Sequence, residues 1–288
     1  MKNIRYNYGL TVPAATMYTI FFVIPLIMGL YFSFTDWSIY SNEINFIGFE
    51  QFKIILTNHS LLNALMNSLK FALVHTVLRN VIGLLLALAV NYVLVFKRTF
   101  RMILFSPVIM SSMVVAYIFI ILLHPDGLVN RSLEALNLQF LSFQWLADPR
   151  KSIFVIAIIS VWQMTGINMA IYLAGLQGVP GELIEVSRIE GAGKLKTFIY
   201  VTFPLIAPTF TINVVLTIIN SLQIFDLVFI LTGGGPGEST EVMSTFVYKQ
   251  FGRGYYGLGT AGNLVLAALI CLIAFTTLGI LKKREAEL

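Results

Sequence analysis

The chain has 288 residues, of which 57% are hydrophobic and only 11% charged, with a formal net charge of +5. A soluble domain carries roughly 25% charged residues, and here the apolar residues come in long blocks, so composition excludes an ordinary soluble domain and places the chain in a bilayer. A transmembrane β-barrel is excluded too, because it would need many segments of alternating polarity.

In chain order, six segments at 10–34, 68–96, 102–123, 153–173, 205–231 and 261–281 have few or no ionisable residues. Each is long enough, at roughly 20 residues, to cross about 30 Å of hydrocarbon as a helix. The predicted fold is all-α, a polytopic membrane protein of six transmembrane helices. Its parts are an N-terminal tail (1–9), the first span, an external loop (35–67), a core holding spans two to six (68–281) and a C-terminal tail (282–288). The first segment follows Lys2 and Arg5 as a signal peptide would, but it runs about twice the length of an h-region and no small-residue cleavage site follows it, so it reads as a retained span.

Orientation follows from the basic residues, since short basic loops stay in the cytoplasm. Lys2 and Arg5 precede the first span, Lys97, Arg98 and Arg101 sit between the second and third, and Lys282, Lys283 and Arg284 follow the sixth. With six spans all three sets fall on one side, as do Arg188, Lys194 and Lys196 between spans four and five. Both termini are expected in the cytoplasm, and the positive charge reports topology rather than a nucleic-acid partner. The single cysteine, Cys271, lies in the last span as a packing residue, and no disulfide within the chain is possible.

Enzyme-like strings fail on context. Gly191-Ala192-Gly193-Lys194 would need Gly at Arg188 and Ser or Thr at Leu195 to be a phosphate-binding loop, and Gly252 to Gly257 fits a dinucleotide pattern without a strand-helix-strand unit around it. His59, His75 and His124 are too scattered for a metal site, and no catalytic cluster is legible. Polar residues inside the spans are more informative, because they are unfavourable in lipid. Asn213, Thr217, Asn220 and Ser221 recur at i, i+4, i+7 and i+8 and share one face of span five, which is expected to line a translocation cavity. Ser160 and Gln163 lie one turn apart in span four, and Ser111 and Ser112 follow Pro107 in span three. Such hydroxyl and amide groups suit a neutral polyhydroxylated ligand; hydrogen bonding between helices is the alternative for each. Arg79, one turn after His75, has three readings, pairing with a carboxylate, contact with an anionic ligand or snorkelling to an interface, of which structural pairing is favoured, and Asp226 reads first as a helix-terminal residue.

The polar loop between spans four and five, Glu185-Val186-Ser187-Arg188-Ile189-Glu190-Gly191-Ala192-Gly193 with Phe198, Pro204 and Pro208 beyond it, resembles the cytoplasmic EAA loop of ABC importer permeases. That pattern reads E-A-A-x-x-x-G followed by I-x-L-P. Glu185, Gly191, Ala192, Phe198, Pro204 and Pro208 fall on it; Val186 and Ser187 stand for the alanines, Glu190 for the usual Asp, and Val201 and Phe203 for Ile and Leu. Asn63 to Leu69, Trp145 to Pro149, Leu173 to Gln177 and Phe225 to Pro236 are similar to the carbohydrate-uptake branch, the group of the maltose and glycerol-3-phosphate permeases.

The resemblance implies a type I ABC importer transmembrane domain in a bacterial plasma membrane, a transporter subunit rather than an enzyme. The loop, spanning 174–204, would form a coupling helix docking into an ATPase groove through Glu185, Ser187, Glu190, Gly191, Ala192 and Gly193. Implied partners are a second homologous permease, two ABC ATPase subunits that hold ATP and Mg, an extracytoplasmic sugar-binding protein and membrane lipid, with no cofactor in this chain. Ser112, Ser160, Gln163 and Ser221 fall on or beside positions that contact sugar in the family, so a di- or oligosaccharide is the expected cargo, with glycerol-3-phosphate the alternative within the class. A secondary transporter or channel would show internal repeats or carboxylates within the spans, and neither is found.

Overall fold

The structure, a computed structural model, describes residues 11–93 and 96–285; the expected N-terminal tail with Lys2 and Arg5, and the last three residues of the C-terminal tail, lie outside the described residues. Helices follow one another throughout: α1 (Val12–Phe32), α2 (Glu50–Thr57), α3 (His59–Tyr92), α4 (Lys97–Ile109), α5 (Ser112–Leu122), α6 (Leu128–Ala135), α7 (Ser152–Gln177), α8 (Gly181–Ile189), α9 (Lys194–Leu222), α10 (Asp226–Thr232), α11 (Met243–Gly252) and α12 (Tyr256–Glu285). Among the described residues the one β feature is an isolated bridge between Thr35 and Phe46, so the fold is all-α. Among the described residues five helices, α1, α3, α7, α9 and α12, are long and apolar enough to cross a membrane, and a sixth span is counted if α4 and α5 are taken together.

That pair corrects the third expected span, which is not one helix: α4 and α5 meet at 93°. Pro107 lacks an N–H and crowds the preceding turn, and the chain leaves the helix at Met110 (φ −72°, ψ 137°). Ser111 then caps α5 by accepting the Met113 N–H, and the Met110 carbonyl released by the break accepts from Gln163 Nε2 at 3.0 Å. The fifth span also differs from its expected bounds. Helix α9 starts at Lys194 and stops at Leu222, and Asp226 opens the separate short helix α10. The π-helical turn Phe198–Thr202 ends two residues before Pro204, and a second π turn, Thr19–Val23, ends two residues before Pro25 in α1. In both places the proline ring removes a donor and a wider turn takes up the mismatch.

The chain divides into two compact units. The smaller one, residues 11–58 with 246–265, folds the loop after α1 through the Thr35–Phe46 bridge, a Gln51 Nε2 to Thr35 carbonyl bond of 3.1 Å, and two bonds from Asn45 to Asp36. Those bonds stabilise the charged form and hold the Asp36 carboxyl below the usual carboxylate range. The glycines of Gly252 to Gly257 serve this loop. Gly254 (φ +80°) accepts from the Ile39 N–H, and a Cβ at Gly257 would lie 2.3 Å from the Thr35 carbonyl oxygen. At Gly254 and Gly257 the nucleotide-like spacing is thus a close backbone approach of the turn between α11 and α12 to the loop after α1.

The larger unit, residues 59–245 with 266–285, is built on α3, α7 and α9. One apolar cluster gathers Phe71, Ile156, Leu227 and Val228, and another Met169, Tyr172, Leu173 and Ile206. Lipid gives no hydrophobic drive between helices, so close approach at small residues has to hold them. A Cβ at Gly83 would sit 2.7 Å from Asn168 Cβ, one at Gly175 2.6 Å from Thr209 Oγ1, and one at Gly166 2.8 Å from the Leu104 carbonyl oxygen.

Candidate functional site

Two sites emerge in the larger unit, a short helix outside the spans and a polar seam inside them. Helix α8 follows Pro180, with Glu182 in its first turn and Arg188 in its last, both favourable to the helix dipole. Its end is a Schellman cap: the Ala192 N–H reaches the Ser187 carbonyl at 2.9 Å and the Gly191 N–H reaches the Arg188 carbonyl at 3.0 Å. Gly191 holds φ +84°, and a Cβ there would meet nothing within 4 Å. Its glycine therefore answers a backbone requirement, the left-handed conformation. Ser187 is buried; its hydroxyl donates to the Ile184 carbonyl at 2.8 Å and lies 3.1 Å from Thr197 Oγ1, tying α8 to the first turn of α9. Gly193 continues that tie, its carbonyl accepting the Thr197 N–H at 3.0 Å.

Glu185 and Glu190 are exposed, with Leu183, Val186 and Ile189 exposed beside them, Ile189 by 85%. Glu182, Glu185, Arg188 and Glu190 keep this helix out of hydrocarbon, so its Leu-Val-Ile stripe stands in water unless a protein covers it. The six residues expected in coupling thus separate by role. Ser187, Gly191, Ala192 and Gly193 shape the segment, Glu185 and Glu190 face outward, and the apolar stripe is what sequence inspection passed over. Its i, i+3, i+6 spacing was the available signal.

Within the spans, His75 joins three helices. Its Nδ1 is 2.7 Å from Ser221 Oγ and its Nε2 is 3.1 Å from Ser160 Oγ. Ser221 gives its proton to the Thr217 carbonyl, so His75 Nδ1 is the donor to Ser221, and Nε2 accepts from Ser160. One turn further along, Asn168 Nδ2 donates to Thr217 Oγ1 at 2.9 Å, Asn213 Nδ2 donates to the Asn168 carbonyl at 3.2 Å, and Asn80 Oδ1 accepts from Tyr172 Oη at 2.6 Å. Ser160, Gln163, Asn213, Thr217 and Ser221 are therefore brought together, all buried, as hydrogen-bonding partners between helices or to the broken span. Asn220 is exposed and Ser112 half-buried, and no hydrogen bond joins either side chain to this seam among the described residues. Arg79 is buried, and among the described residues no carboxylate pairs with it.

The profile of the family described as "Binding-protein-dependent transport system inner membrane component" matches residues 79–285. The chain belongs to that family. Similar curated proteins include the probable ABC transporter permease protein YurN of Bacillus subtilis, 32% identical with 95% of each chain covered. Another is the probable starch degradation products transport system permease protein AmyD of Thermoanaerobacterium thermosulfurigenes, 30% identical over 92% of this chain and 90% of that one. Among solved structures, a bacterial ABC transporter involved in import of the acidic polysaccharide alginate has a chain of the same fold. Its TM-score is 0.84 at 23% identity, covering 96% of this chain and 94% of that one.

In this permease, several seam residues had escaped sequence inspection: Thr76, Asn80, Asn168 and Tyr172. Thr76 and Asn80 are one turn apart on α3 and Asn168 and Tyr172 one turn apart on α7, which is the signal that pairs the two helices. Proteins hide such polar groups in lipid by pairing them across helices.

Proposed function

We propose that this permease is the membrane-spanning half of a sugar importer, driven by ATP hydrolysis in separate ATPase subunits that hold the ATP and Mg, with a second permease beside it and an extracytoplasmic binding protein delivering the sugar. The observation that carries the reading is the water-facing Leu183, Val186 and Ile189 stripe on a charged helix outside the spans. Such a stripe is a docking surface, and the description of the similar YurN protein as an ABC transporter permease supports an ABC ATPase as the partner. The probable role of the similar AmyD protein in a transport system for starch degradation products supports a saccharide cargo. Glu185 and Glu190 border the stripe and orient the partner electrostatically.

In this reading the segment carrying α8 is cytoplasmic, as are both termini. The Ser187 to Thr197 tie conveys movement of α8 into α9 as a rigid displacement, the kind of rigid-body step that alternates access. Asn220 and Ser112, outside the seam, are the polar groups open to a passing sugar in this conformation. Opening of the seam would release Ser160, Gln163, Asn213, Thr217 and Ser221 to the same cargo.

The test is co-purification. Burying an exposed Leu or Ile side chain is worth roughly 1.5–3 kcal/mol, so Leu183→Ser with Ile189→Ser removes most of a docking energy. The double variant is expected to insert normally and lose the ATPase. Full ATPase recovery with the double variant would overturn the docking assignment.

A further inference from the structure

Beside α8 lies a cavity of about 760 Å³ that the coupling role leaves unexplained. This is in the range of small-molecule sites, roughly 300–1,000 Å³. Its wall is apolar along the spans, with Leu88, Ala89 and Tyr92 from the end of α3 and Phe198 from the start of α9. Its rim carries two cations, Arg188 from α8 and Lys194 from α9. Both are exposed, and among the described residues neither has an ion-pair partner. Both spans widen into π turns here, Ala89–Val93 in α3 and Phe198–Thr202 in α9, and each turn contributes two wall residues, Ala89 with Tyr92 and Phe198 with Thr202. Pro204 accounts for the turn in α9, but no proline lies beside the one in α3, and π turns are frequent at functional sites.

Where α3 ends and α9 begins, the bundle meets one face of the membrane. A cavity there with an apolar wall on the hydrocarbon side and cations on the water side matches an amphiphile with an anionic head. We propose that it binds one anionic glycerophospholipid, an acyl chain lying against Leu88, Ala89, Tyr92 and Phe198 while the phosphate is held by Arg188 and Lys194. Basic pockets between spans at a membrane face take anionic headgroups by this charge complementarity. The occupant sits behind α8, on the side away from Leu183 and Ile189, so the bound lipid props the helix from below and makes its setting depend on the surrounding membrane. The proposal rests on the reading of α8 as lying at the membrane face, and it does not require ATPase docking.

Native mass spectrometry of the full-length chain in detergent, titrated with dioleoylphosphatidylglycerol, dioleoylphosphatidylcholine or inorganic phosphate, tests it. The expected result is one phosphatidylglycerol bound ahead of phosphatidylcholine and not displaced by phosphate. Each cation contributes roughly fivefold, so Arg188→Gln with Lys194→Gln should raise the half-occupancy concentration roughly 25-fold. Ala89→Trp, which fills the apolar wall and leaves the charges, should also release the lipid, and Arg188→Lys should keep it. Equal binding of the two lipids, an unchanged double variant, or displacement by phosphate overturns the proposal, the last by making the cavity a free-phosphate site. Leu183→Ser with Ile189→Ser separates the two readings, since it should retain the lipid whether or not the ATPase is lost.

Discussion

Replacement of Gly191 distinguishes a backbone role from a contact role in the coupling segment. The residue sits at φ +84° with no atom within 4 Å of the place a Cβ would occupy, so a methyl group there meets no clash. What remains is the cost of a left-handed conformation for an L-residue, roughly 1–2 kcal/mol. That range is a factor of about 5–30 in the population of the capped segment. Asn visits this conformation readily, Ala pays the full cost, and a β-branched residue pays more. ATPase recovered with the tagged permease, titrated against ATPase concentration, should therefore fall in the order Gly, Asn, Ala, Val. The Ala variant should need about 5–30 times more ATPase for half-saturation. If Asn proves as defective as Val, side-chain size at a contact rather than backbone conformation governs the position, and the Schellman cap is not what makes this glycine necessary.

Asn168→Ala leaves its seam partners without a donor on a fully buried helix face, so the permease should lose roughly 1–3 kcal/mol of stability, read as a lowered Tm in detergent, with ATPase association intact. Asn220→Ala should leave Tm unchanged and reduce sugar uptake, whereas an unaffected uptake would remove Asn220 from the path. Gly166→Leu drives a side chain into the Leu104 carbonyl and Phe105 backbone, and overpacking of this kind costs typically about 1–3 kcal/mol. Protease sensitivity at the break between α4 and α5 should rise. In a Cys271→Ser background, an impermeant thiol reagent on intact cells should label a cysteine at position 148 and spare one at position 99; the reverse pattern would invert the orientation.

The sequence by itself determined the solvent, the fold class and the place of the charged segment proposed for coupling. Long apolar blocks permit only helices in hydrocarbon, since every backbone polar group must find a partner within the segment, and the charged loop after Gln177 had nowhere to lie but outside the spans. The role of Gly191 was legible only in part: its position marked the segment, while the left-handed turn that requires it appears in the backbone alone. Tertiary structure decided the rest because periodicity places a residue on a face without saying what stands opposite. The Asn213, Thr217 and Ser221 stripe was visible, yet its partners come from α3 and α7, 45 to 146 residues away in sequence. At the 93° bend between α4 and α5, likewise, Gln163, a residue of another helix, donates to the Met110 carbonyl that a straight span would have satisfied within itself. A polar group in lipid must be paired, and which group pairs with it is a property of the packed bundle.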